Sequence, residues 1–162
     1  MPKSKKFNLK PNADEIINAG QICGNFLKSL GLSESTIQSQ IMILKELIKN
    51  GIRCGKCIPP EDEISVHLHV SENTITLEVK NPVDETCCQR LQELDKTIQF
   101  IRGYQDPFEA YQKMQIITVK QSDLNEFDPL ALSKIAYKGK AILDFYVSDD
   151  KTLNQSAIKD IA

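Results

Sequence analysis

Ile64-Ser65-Val66-His67-Leu68-His69-Val70-Ser71-Glu72-Asn73-Thr74-Ile75-Thr76-Leu77-Glu78-Val79 is the stretch that decides the fold. Ile64, Val66, Leu68 and Val70 alternate with Ser65, His67 and His69, and Ile75, Leu77 and Val79 alternate with Thr74, Thr76 and Glu78. Successive side chains of a strand point to opposite faces, so each run predicts a strand with one apolar and one polar side. The polar Ser71-Glu72-Asn73 turns the chain back between them, and the pair reads as an antiparallel hairpin. A sheet that is apolar on one face needs cover on one side only. This favours a two-layer α/β sandwich, helices on one face of a mixed, mainly antiparallel sheet. A doubly wound fold would need central strands apolar on both faces.

Upstream, Asn12 or Asp14 offers an N-cap to a helix carrying Ile16, Ile17, Cys23, Phe26, Leu27 and Leu30 at helical spacing, and Gly31 ends it. Ser33 begins a second helix. Its stripe of Ile37, Ile41, Leu44 and Ile48 is the strongest in the chain, widened by Met42, Ile43 and Leu47 and broken at Gly51 and Gly55. Phe7 to Lys10 predicts a short edge strand closed by Pro11, and residues 1–6, with Lys3, Lys5 and Lys6, read as a flexible basic tail. Downstream, Pro82 ends the hairpin and residues 85–102 predict a helix with Leu91, Leu94, Ile98 and Ile101 inward. Asp106-Pro107 starts a short helix through Tyr111, while Ile116, Ile117 and Val119 suggest a brief strand. Pro129 opens a helix through Tyr137, and strands follow from Ala141 to Val147 and around Leu153. No repeat or linker divides the 162 residues, so a single domain is expected.

Composition narrows the function classes. At 41% hydrophobic and 26% charged, a chain of this length folds on its own core without a metal or disulfide staple. The formal charge of −2 leaves no broad basic field for nucleic acid or an anionic membrane. No apolar run spans a bilayer and none follows the N-terminal lysines as a signal peptide would, so a cytoplasmic protein is expected. Five cysteines without the spacing of a secreted scaffold are then reduced thiols.

Glu46 and Asn50 are four apart and share a helical face turned away from the Ile37, Ile41, Leu44 and Ile48 stripe. A carboxylate and an amide so placed could orient a water and coordinate a Mg²⁺ that carries phosphates, or could simply face solvent near a helix end. Cys54-Gly55-Lys56-Cys57 has the spacing of a zinc knuckle or a redox pair, and Cys87-Cys88 offers further thiolates. Adjacent cysteines rarely both reach one tetrahedral ion, so ordinary thiols compete with either use. His67 and His69 share a strand face and could share a metal, but no third ligand stands out, and that face is expected to be solvated. Asp106 to Tyr111 joins turn chemistry to two aromatics, either to bind a partner or to fold back on the core. No Walker loop, Gly-x-Gly-x-x-Gly or Gly-x-Ser-x-Gly is present.

Glu46-x-x-x-Asn50 followed by Gly51-x-x-x-Gly55 resembles the N-box of the GHKL ATPase superfamily, whose fold is named after Bergerat. The resemblance is nearest to its anti-sigma-factor serine kinases and histidine-kinase-like ATPase domains. Thr76-Leu77-Glu78-Val79-Lys80-Asn81-Pro82 sits where that family has a strand running into Asp-x-Gly. Asp128 to Tyr137 resembles the helix that the family begins with Gly-Leu-Gly-Leu. In element order the resemblance covers residues 7 to 155. It implies Asn50 as a Mg²⁺ ligand, Glu46 as general base or water-orienting residue, and Asn81 in place of the family's adenine-reading Asp. Three departures bear on this. Asn81 lacks the charge, Pro82 and Val83 stand where a Gly should follow, and Pro129 and Ala131 crowd the phosphate position that glycines leave open. The resemblance therefore implies a pseudokinase-like regulatory module with weak or lost binding of Mg-ATP or ADP. Such a module acts by contact with a protein partner, a sigma factor or antagonist-type regulator, and a homodimer is compatible with it. An active Mg-ATP-dependent protein kinase, and a zinc- or redox-responsive protein using Cys54 and Cys57, are the alternatives.

Overall fold

The computed structural model describes residues 3–55, 63–120 and 129–161. Among the described residues there are five strands: β1 (Lys3–Leu9), β2 (Ile64–Val70), β3 (Thr74–Pro82), β4 (Ala141–Val147) and β5 (Thr152–Asp160). The helices are α1 (Ala13–Ser29), α2 (Glu34–Cys54), α3 (Cys88–Arg102, entered through a 3-10 turn at Glu85–Cys87), α4 (Pro107–Lys120) and α5 (Pro129–Tyr137). The sheet order is β1-β2-β3-β5-β4, and all four pairings are antiparallel. The expected sandwich is observed, with the correction that the sheet is antiparallel rather than mixed.

Register explains why one face is covered. Leu68, Leu77, Ala157 and Leu143 stand opposite one another in a single row, as do Phe7, Val66, Val79, Gln155 and Phe145. These rows belong to the core, which α1, α2, α3 and α5 complete with Leu27, Leu44, Leu47, Ile48, Leu94 and Ile135. The other face carries rows such as Lys6, His67, Glu78, Ser156 and Asp144, which remain with solvent. Among the described residues, no helix is long and apolar enough to cross a membrane.

Capping follows the sequence closely at α1 and α2. Asn12 Oδ1 accepts the Glu15 N–H at 2.8 Å and Ser33 Oγ accepts the Thr36 N–H at 3.3 Å. Gly31, with φ of 77°, supplies the left-handed residue that turns α1 into α2.

Four local expectations are corrected. Lys3, Lys5 and Lys6 belong to β1 rather than to a flexible tail, because their backbones pair with Val70, Leu68 and His67. Helix α2 runs through Gly51 and ends at Cys54. Helix α4 continues to Lys120 where a brief strand was expected. Asp106 caps it by accepting the Phe108 N–H at 3.0 Å, and Ala110 and Met114, four apart, are buried, so helical packing overrides the β-branched run. Strand β5 extends over nine residues and is the partner of β3 along all nine.

Leu44 is fully buried on α2. Leu44→Ala is expected to lower unfolding free energy by about 2–5 kcal/mol, read as an earlier urea midpoint at unchanged slope.

Candidate functional site

The last two turns of α2 lie against β3 and β5, and there the interface is polar. Asn50, 3% exposed, donates from Nδ2 to Gln155 Oε1 at 2.7 Å. Gln155 in turn donates from Nε2 to the Leu47 carbonyl at 3.0 Å. The Cys54 thiol donates to Asn50 Oδ1 at 3.6 Å. From β3, Asn81 donates through Nδ2 to the Gly51 carbonyl at 2.9 Å and to the Pro82 carbonyl at 3.4 Å. The Gly51 carbonyl also accepts the Gly55 N–H at 2.8 Å, so its two lone pairs serve helix and sheet together.

This clamp explains Gly51. A Cβ there would sit 2.6 Å from Asn81 Oδ1 and 3.1 Å from Gln155 Nε2. The glycine is needed for close approach of the sheet amides, and the helix passes through it. The two carbonyls around Asn81 Nδ2 also settle which way its amide points. Its Oδ1 is left buried with no hydrogen-bond partner among the described residues, a condition shared with Gln40 Oε1.

The structure thus brings Asn50 and Asn81 together across Gly51. Asn50 does not lie on a solvent-facing surface, as the helical spacing suggested. The buried side of α2 includes Gln40, Ile43, Leu47, Asn50, Gly51 and Cys54 beside the expected stripe. Glu46 lies one turn before Asn50 at the half-buried margin of that side, outside the clamp. In this arrangement Asn50 presents no oxygen to an exposed ion, so the side chains here do not fit a Mg²⁺ site. Gln155 is the residue that sequence reasoning missed. Its one signal was a polar residue at an inward position between Leu153 and Ala157.

Burial pushes the Cys54 thiol up to about 12, with Arg90 pulling weakly the other way. It is therefore a neutral thiol donor at physiological pH. Cys57, its expected partner, and Asp128 lie outside the described residues. Among the described residues, no group of three or more His, Cys, Asp or Glu is placed to hold a metal. His67 and His69 do share a face, with ring centroids 6.3 Å apart. Burial first, and the Lys6 charge second, hold His67 below its ordinary value. Phe108 and Tyr111 fold back on Tyr137, at 5.0 and 5.2 Å between centroids, while Phe108 keeps 40% of its surface exposed.

No protein-family model matches the sequence, and no curated protein matches it. Among solved structures, the fold is similar to that of a chain in the crystal structure of the SiaB–SiaC complex from Pseudomonas aeruginosa. The TM-score is 0.64 at 18% identity, covering 97% of this chain and 89% of that one. The likeness is one of fold.

Two outcomes are expected from the clamp. Gln155→Ala strands the Asn50 amide and is expected to cost about 1–3 kcal/mol in chemical denaturation, as is Gly51→Ala through overpacking. For Cys54, the folded-state pKa is raised, so the native state holds its proton longer than the unfolded chain does. Its contribution is complete below the ordinary thiol range and is lost as pH rises toward 12. Stability measured across alkaline pH should fall more steeply in the parent than in Cys54→Ala.

Proposed function

We propose that this protein is a regulatory signalling module that acts by contact with another protein, and that its N-box-like residues hold the fold together instead of holding Mg²⁺. One observation carries this reading. The amide of Asn50 is spent inside the molecule, on Gln155 and Cys54, at 3% exposure. The replacement of the expected Asp by Asn81 and of phosphate-loop glycines by Pro129 and Ala131 points the same way. The fold's likeness to a chain crystallised in a two-protein complex supports action through protein contact. By the resemblance to anti-sigma-factor kinases, the partner is a sigma factor or an antagonist-type regulator, met in the cytoplasm.

A second reading, a Mg-ATP-dependent protein kinase, is favoured by Asn81 Oδ1, which has no hydrogen-bond partner among the described residues. A buried acceptor without a donor is costly, and an exocyclic amino group of a purine would satisfy it. That reading requires Asn50 to leave Gln155.

Thermal unfolding with and without millimolar Mg-ATP or Mg-ADP separates the two. A ligand at about a hundred times its dissociation constant adds roughly 2.7 kcal/mol, several degrees for a domain of this size. No shift is expected. A shift present in the parent and absent in Asn50→Ala, each compared with its own ligand-free melt, overturns the regulatory reading in favour of the kinase. The protein contact itself is checked by co-purification from the native cell and reassembly of the pair from purified components.

A further inference from the structure

The two edges of the sheet are built differently. The β1 edge exposes Lys3, Lys5 and Lys6, charges of the kind that keep an unpaired strand from recruiting another chain. The β4 edge instead exposes Ile142, Tyr146 and Val147, at 64%, 61% and 44%. Its one charge, Asp144, is engaged by Arg102 at 3.7 Å and by the Phe145 N–H at 2.9 Å. The second of these bonds occupies one outward backbone N–H in the middle of the strand. The Ser148 N–H bonds the Thr152 carbonyl, which by the alternation of an antiparallel ladder turns the backbone groups of Val147 to the open side.

A groove of about 430 Å³ lies between the first half of α3 and the end of β4, floored by Val83, Leu91, Phe145 and Val147. Glu85 and Asp95 stand exposed on its rim, where Lys151 is the one cation lining it among the described residues. Apolar floor, acidic rim and a strand edge that pairs with no further strand among the described residues meet in one place. We propose that this groove docks a short extended segment of a partner protein, apolar residues flanked by lysine or arginine, added alongside β4. The proposal rests on the regulatory reading above and locates its contact surface.

The test uses the full chain and two synthetic hexapeptides, one of valine and isoleucine flanked by lysines, the other with glutamates in place of the lysines. Backbone amide shifts and fluorescence anisotropy are followed in the parent and in the double variant Glu85→Lys, Asp95→Lys, whose exposed positions leave the core untouched. The lysine peptide is expected to perturb residues 83–95 and 145–151, to weaken with added salt, and to lose at least tenfold in affinity in the variant. The proposal is overturned if neither peptide binds, if the glutamate peptide binds as well, or if the variant binds the lysine peptide unchanged. A homodimer that the same variant breaks also overturns it, since the groove would then hold a second copy. If the variant loses the peptide yet keeps the co-purified partner, the groove assignment falls and the regulatory reading stands. If no protein partner exists, the regulatory reading itself falls.

Discussion

The amide clamp between α2 and the sheet is the constraint on which the rest of the architecture depends. Apolar contacts are non-directional and let a helix rotate or slide by a fraction of a turn at small cost. Buried amides do not, because each donor and acceptor must meet its partner at bonding distance or remain desolvated and unpaired. Asn50, Gln155 and Asn81 tie three elements, α2, β5 and β3, at one point. Two of the acceptors are main-chain carbonyls of α2, at Leu47 and Gly51, so the bonds set the rotation of the helix itself and not just the position of a side chain. Gly51 is the steric counterpart of those bonds, admitting the amides to a distance that a Cβ would deny.

That packing changes the meaning of the motif. Glu46-x-x-x-Asn50-Gly51-x-x-x-Gly55 can serve as a metal and nucleotide box only if Asn50 faces a cavity. Here it faces Gln155, and Gly51 and Gly55 close over Asn81. Cys54 belongs to the same contact, its thiol kept neutral by burial and donating to the Asn50 amide oxygen. With the centre of the sheet occupied by structure, surface chemistry shifts to the periphery. There the contrast between a lysine-bearing β1 and an apolar β4 distinguishes an edge that repels neighbours from one that can receive them.

The hairpin Ile64 to Val79 was legible because it is buried on one face and alternates without exception, and the caps at Asn12 and Ser33 because their side chains bond locally. Strand β5 was legible only around Leu153. Its inward positions include Gln155, whose polarity hides the alternation until its partners, more than a hundred residues away, are seen. Residues 116–120 misled in the opposite sense, through β propensity that a capped and packed α4 overrode. Lys3 to Lys6 looked like a tail because charge on an edge strand and charge on a solvated segment are the same pattern in one dimension.

By itself the sequence determined the two-layer class, the one-sided sheet and the identity of most core residues. Periodicity and capping depend on neighbours within a few positions, and these are written in order along the chain. The tertiary structure decided which side of α2 Asn50 occupies, which polar residue answers it, and which sheet edge stays open. Those outcomes hang on contacts between residues as distant as Asn50 and Gln155, and no local pattern encodes the geometry of an amide pair formed across the fold.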